Sequence, residues 1–115
     1  MLLLMGSNTT EAHPIIANRM KKAVRSGLKI IVVDPRKIDM VKFSHRHLQL
    51  EVGSDIALLN GMMHVIIQER LYDEEWVRKN TDDFEKLKEK VAAYTPEFAA
   101  KITGLNPEDI VAAAR

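Results

Sequence analysis

The chain opens on a short apolar run, Met1 to Met5, and passes at once into a polar Gly/Ser/Asn/Thr stretch. Such a run is too short for a membrane span or a secretory core, so it reads as a buried strand. From Pro14 onward apolar residues recur at helical spacing. Ile16, Met20, Ala23, Val24 and Gly27 define one buried face, while Arg19, Lys21, Lys22 and Arg25 fall elsewhere. Pro14 suits a first helical position, where its missing N–H would have no partner, so a helix should begin near His13 and end at Gly27. The next run, "LKIIVVDP", is rich in β-branched residues without polar alternation, as in a strand covered on both faces of a parallel sheet. Strand, helix and strand in that order predict a right-handed βαβ unit.

After Pro35 the pattern is polar and short, with a helical turn expected around Asp39 to Phe43, and "HLQLEV" (47–52) then alternates as a strand near the sheet edge does. "GSDIALLNGMMHVIIQER" has Ser54 or Asp55 as a natural N-cap and apolar residues nearly all round, including Leu58, Leu59, Met62, Met63, Ile66 and Ile67. It predicts the most buried helix. Beyond Arg70 come short helices of mixed charge, started by Asp73, by Asp82 with Glu85 as a capping box, by Thr95-Pro96 and by Asn106-Pro107. Glu74 with Arg78 and Glu75 with Lys79 are i, i+4 pairs on a solvated face. The class is therefore α/β, with a mainly parallel sheet followed by short C-terminal helices.

At 115 residues the expected organisation is one domain, with a βαβ core over 1–70 and a helical extension over 71–115. The 17 Lys plus Arg against 16 Asp plus Glu leave a net charge of +1, which supplies no general field for nucleic acid or an anionic membrane. Any anion must be held locally. With no cysteine, the chain contains no disulfide, thiolate metal site, cysteinyl iron–sulfur cluster or cysteine nucleophile. No segment approaches a membrane span, and the location expected is the cytoplasm.

In an open parallel sheet, ligands bind outside the carboxyl ends of the strands. Three polar loops should leave those ends: Gly6 to His13, Asp34 to Lys37, and Gly53 to Asp55. The first precedes a helix, whose free N–H groups favour a phosphate, and Ser7, Asn8, Thr9 and Thr10 add short hydrogen-bonding side chains. Asp34 stands where a carboxylate can accept from both hydroxyls of a ribose, and Arg36 offers a fork of donors for a phosphate or a plane to stack on a base. Asp55 can accept the adjacent N1–H and N2–H₂ donors of a guanine. Each loop also has a plainer reading. The first is also a turn and cap, Asp34-Pro35 a strand exit, and Ser54-Asp55 a helix cap. His45 and His47 lack a carboxylate partner at metal-ligand spacing and read as solvated. His64 reads as a core histidine with a backbone partner, His13 as a cap, and Met62 and Met63 as core filler. No nucleophile–base pair or carboxylate dyad stands out. The single Gly6 does not make a G-x-G-x-x-G fingerprint, so the residues describe a nucleotide-type binding module without its own catalyst.

Taken together, "GSNTTEAHPIIANRMKKAVRSGLKIIVVDPRK", "LEVGSDIALLNGMMHVIIQERLYDEEWV" and "YTPEFAAKITGLNPEDIVAAAR" resemble the catalytic subunits of the molybdopterin oxidoreductase superfamily, over practically the whole chain. The nearest likeness is to the formate dehydrogenase alpha subunit. The resemblance implies a Rossmann-like three-layer αβα domain that holds bis-molybdopterin guanine dinucleotide with Mo or W. It implies that Gly6, Ser7, Asn8, Thr9, Thr10, Glu11 and His13 line the dinucleotide near its phosphates, that Asp34, Pro35 and Arg36 lie at the ribose and guanine end, and that Gly53, Ser54 and Asp55 surround the guanine. The family's metal-ligating Cys or selenocysteine, iron–sulfur cysteines, and catalytic His and Arg lie elsewhere in a longer chain. The implied partners are the remaining domains of the catalytic subunit and the electron-transfer subunits. The expectation is an excised or truncated domain without redox activity, whose uncovered apolar surface can mediate self-association. Other readings are a related molybdoenzyme acting on nitrate or arsenate, or a non-catalytic Rossmann-like nucleotide-binding or association module.

Overall fold

In the computed structural model, which describes residues 1–115, three strands pair in the order β1 (Leu2–Met5), β2 (Ile30–Val33) and β3 (Arg46–Leu48), both pairings parallel. The chain divides into two compact units, Met1–Leu50 and Glu51–Arg115. In the first, β2 is central and all four of its apolar, β-branched residues are buried, as the absence of polar alternation predicts. β1 is an edge strand, and here the expectation of a buried strand needs correction. Successive side chains point to opposite faces, so Leu4 joins a core with Ala17, Ile30, Val32, Ile38 and Met40, whereas Leu3 remains 39% exposed.

Two helices follow β1. The four-residue α1 (Thr9–Ala12) occupies part of what the sequence presented as a turn, and α2 (Pro14–Arg25) starts with Pro14 in its first turn, as expected. The buried stripe of α2 holds Met20 and Val24 as expected but begins one residue later, at Ala17 and not Ile16. Ala17 is buried and Met20 and Val24 pack against the core, while Ile15 and Ile16 are exposed. Gly27, at φ +99, ends the helix. The link from β2 to β3 is a 3-10 turn at Asp39–Phe43, anchored by the fully buried Met40.

The third strand was expected to continue to residue 52 but ends at Leu48. In the second unit the Glu51 N–H donates to Thr103 O at 2.8 Å, and Val52-Gly53 turns with Gly53 at φ +81, a conformation costly for any residue bearing a Cβ. Five helices follow: α3 (Asp55–Gln68), α4 (Glu74–Asn80), α5 (Phe84–Ala92), α6 (Pro96–Thr103) and α7 (Pro107–Ala114). α3 buries Ala57, Leu58, Gly61, Met62 and Val65, more than any other helix, and packs on α5, α6 and α7. Gly61 serves close helix packing, because a Cβ there would lie 2.8 Å from the Ala99 Cβ.

Two expected caps form: Asp73 accepts from the Trp76 N–H and Thr95 from the Phe98 N–H. The Asp82/Glu85 capping box does not form. α5 starts instead from Asp83 in the left-handed region, and Glu85 pairs with Lys88 at 3.1 Å. Glu75 and Lys79 form their i, i+4 pair at 2.6 Å. No helix is long and apolar enough to cross a membrane.

Candidate nucleotide-binding site

Pairing of Met5 with Val33 brings the ends of β1 and β2 to the same level, so the loops that leave them begin side by side. The Gly6 N–H donates to Val33 O at 3.3 Å, which ties the loops at their roots. Gly6 has φ +61, and a Cβ placed there would meet nothing within 4 Å. Glycine is therefore demanded by backbone conformation and not by a close approach within the chain.

Beyond Gly6, the Ser7 and Thr9 hydroxyls share a hydrogen bond of 3.2 Å, and Thr9 is buried. Their neighbours differ. Asn8 Oδ1 and Thr10 Oγ1 are buried polar atoms without a hydrogen-bond partner. Asn8 precedes α1, yet its side chain caps no N–H of that helix. Buried polar atoms without partners are rare and cost about 1–3 kcal/mol each, and two of them fall within three residues here. Glu11 and His13 are exposed; His13 stands between α1 and α2 and caps neither with its side chain.

On the adjacent loop Asp34 is 2% exposed. Its Oδ1 accepts the Arg36 backbone N–H at 2.8 Å and the Arg36 Nε–H at 3.3 Å. The Arg36 side chain remains 70% exposed, so the carboxylate holds a cation at the surface while staying buried itself. Two side chains from β3 and its continuation grip the same turn. His47 Nε2 lies 2.9 Å from Asp34 O, and Gln49 Nε2 donates to Pro35 O at 2.9 Å. The reading of His47 as merely solvated is thereby corrected; the strand register that sets it against the turn was not legible from its spacing to His45. His45 itself is exposed.

Gly53, Ser54 and Asp55 belong to the second unit. Ser54 is buried and its hydroxyl donates to Glu51 O at 2.6 Å, so it precedes α3 without capping it; Asp55 is exposed in the first helical turn. Also in this unit, His64 Nδ1 lies 3.0 Å from Val91 O, the backbone partner expected of a core histidine. A depression of about 930 Å³ in this unit has Ile67, Tyr72, Val77 and Phe84 among its lining with charges of both signs, but no orphaned polar atom. No group of three or more His, Asp or Glu is arranged to hold a metal ion.

A small parallel sheet with helices and with polar loops at its carboxyl edge defines the class, a Rossmann-like α/β unit. Comparison with known proteins makes this particular. The family profile of the molybdopterin oxidoreductases matches residues 1–111. The chain is 47% identical to a formate dehydrogenase subunit alpha of Methanocaldococcus jannaschii over 114 residues, 99% of this chain and 17% of the relative. It is 40% identical to a nitrate reductase of Symbiobacterium thermophilum, over 97% of this chain and 16% of the relative. Among solved structures it superposes on acetylene hydratase from Pelobacter acetylenicus with a TM-score of 0.93 and 39% identity, covering 98% of this chain and 16% of that one. The chain belongs to the molybdopterin oxidoreductase family, and it spans about one sixth of the length of these relatives.

Proposed function

We propose that this segment holds the guanine dinucleotide part of a bis-molybdopterin guanine dinucleotide cofactor, with Mo or W, within a formate dehydrogenase alpha subunit. The observation that carries the reading is the pair of orphaned buried atoms, Asn8 Oδ1 and Thr10 Oγ1, on the loop tied to the Asp34 turn. A diphosphate-bearing nucleotide offers what such a loop lacks. Its hydroxyls donate to an amide oxygen, and its phosphate oxygens accept from a threonine hydroxyl. Asp34, Pro35 and Arg36 take the ribose and guanine end, and Gly6 to Glu11 and His13 the phosphates.

When bound, the cofactor supplies the metal-centred redox chemistry of the parent enzyme, here formate to carbon dioxide plus electrons. This chain's residues bind and orient it. They include no cysteine for an iron–sulfur cluster, and the segment by itself is inactive. The iron–sulfur cluster, the second pterin site and the electron-transfer subunits belong to other parts of the parent assembly. The names of the matched relatives span a dehydrogenase, a nitrate reductase and a hydratase. Proteins so differently named can share this segment if its task is to hold the cofactor and not to choose the substrate. A second reading, a segment of a nitrate-reducing molybdoenzyme, is favoured by the 40% identity to the nitrate reductase.

The test is titration of the ¹⁵N-labelled chain with GDP, with ADP as comparison. Amides of Gly6 to Thr10 and of Asp34 to Lys37 should shift at millimolar GDP and respond less to ADP. Unmoved amides in both loops would sink the reading.

A further inference from the structure

We propose that His47 and Gln49 are positioning residues that clamp the Asp34-Pro35-Arg36 turn in the shape that presents the Arg36 guanidinium. The Asp34 and Pro35 carbonyl oxygens are successive along the chain, and each faces a side chain on the β3 segment at 2.9 Å. A carbonyl oxygen can only accept, so His47 carries its proton on Nε2 and Gln49 turns its NH₂ group toward Pro35. Pro35 contributes no N–H of its own, and the Arg36 N–H is consumed within the turn by Asp34 Oδ1. The turn's outward carbonyls therefore give it purchase on the sheet beyond the 3.3 Å bond from the Asp34 N–H to Leu48 O. Without the two donors, the carbonyls of the Asp34–Pro35 and Pro35–Arg36 peptides lose their anchors on the β3 segment, and the carboxylate and guanidinium that Asp34 Oδ1 couples lose their common frame. The consequence for affinity rests on the nucleotide reading above; the clamp itself does not.

The two are separated by following the Arg36 amide as well as the ligand. In the ¹⁵N-labelled chain, Gln49→Glu replaces the donating NH₂ with an acceptor oxygen at the same shape, His47→Leu removes the imidazole donor, and His47→Gln restores an amide donor. Gln49→Glu and His47→Leu should each speed hydrogen exchange of the Arg36 amide and weaken GDP binding about tenfold, the scale of one hydrogen bond. Amides of Ile31 and Val32 should keep their protection, and His47→Gln should recover most of both effects. Gln49 is exposed, so Gln49→Glu decides the matter if His47→Leu unfolds the first unit. Unchanged Arg36 exchange in Gln49→Glu overturns the clamp. Faster Arg36 exchange in a chain whose unsubstituted form ignores millimolar GDP upholds the clamp and overturns the nucleotide reading.

Discussion

Thr10→Val should make the ligand-free chain more stable and its nucleotide complex weaker. Valine keeps the branched shape of threonine and has a similar helix propensity, so the change replaces a hydroxyl with a methyl and little else. In the free chain Thr10 Oγ1 is buried and unpartnered. Removing such a group recovers part of its desolvation cost of about 1–3 kcal/mol, and we expect a gain of about 1–2 kcal/mol. That corresponds to exchange of the β2 amides slower by a factor of about 5–30 wherever exchange proceeds through opening of the first unit. The assay must read that unit directly. Trp76, the only tryptophan, lies in α4 of the second unit, so its fluorescence would report on the wrong part of the chain. Native-state hydrogen exchange at Ile31 and Val32 is therefore the measurement, paired with a GDP titration in which Kd should rise about tenfold for loss of a hydroxyl bond to a charged phosphate. Faster exchange in the variant would mean that the hydroxyl is satisfied in the free chain and would refute the reasoning. Slower exchange with unchanged GDP affinity would leave the orphaned atom real but put the ligand elsewhere.

Two further outcomes concern the second unit. Gly61→Val places a Cβ 2.8 Å from Ala99 Cβ and adds branches toward Ile110, which should cost about 1–3 kcal/mol through overpacking; a helical circular-dichroism melt matching the parent chain would show that α3 and α6 are looser than their contact implies. Glu69 accepts two hydrogen bonds from Arg115, and these hold its carboxyl below the usual 4.5. Because the folded value is depressed, the contribution is fully present above 4.5 and is lost as pH falls through the folded value, so a carboxyl ¹³C titration midpoint at or above 4.5 would contradict the pairing.

What the sequence revealed depended on how local the deciding interaction was. β2 was legible because four consecutive β-branched residues admit little but a doubly covered strand, and α2 because Pro14 marks its start and Gly27 its end. The β3 terminus was not, since alternation from His47 to Val52 continues past Leu48. The strand stops at Leu48 because its partner does: Leu48 pairs with Val33, the last residue of β2. Likewise Asp82 and Glu85 have capping-box spacing, but the left-handed Asp83 takes the helix start by a backbone choice that spacing does not record. At the site, the identity of the loops was legible from Gly6, Asp34 and their neighbours. Which polar atoms are spent internally was not: Ser7 with Thr9, Asp34 with Arg36 and Ser54 with Glu51 are satisfied, whereas Asn8 and Thr10 are not, and only packing separates these cases.

That separation alters the division of labour on the Asp34 turn. An aspartate that is 2% exposed and already accepts two bonds at one carboxylate oxygen has limited capacity left for a ribose, whereas the arginine side chain it grips stands 70% exposed. An exposed arginine ordinarily loses side-chain entropy worth about 2 kcal/mol when a ligand immobilises it, and a bond already made to Asp34 removes part of that loss before binding. In the proposed complex Asp34 acts first as the organiser of Arg36 and only secondarily as an acceptor, and the clamp from β3 extends the same logic one layer outward. Such preorganisation favours any ligand with a phosphate or a stackable base at that place, irrespective of the reaction carried out at its far end. This is the property a segment needs if relatives named for dehydrogenation, nitrate reduction and hydration are to keep it in common.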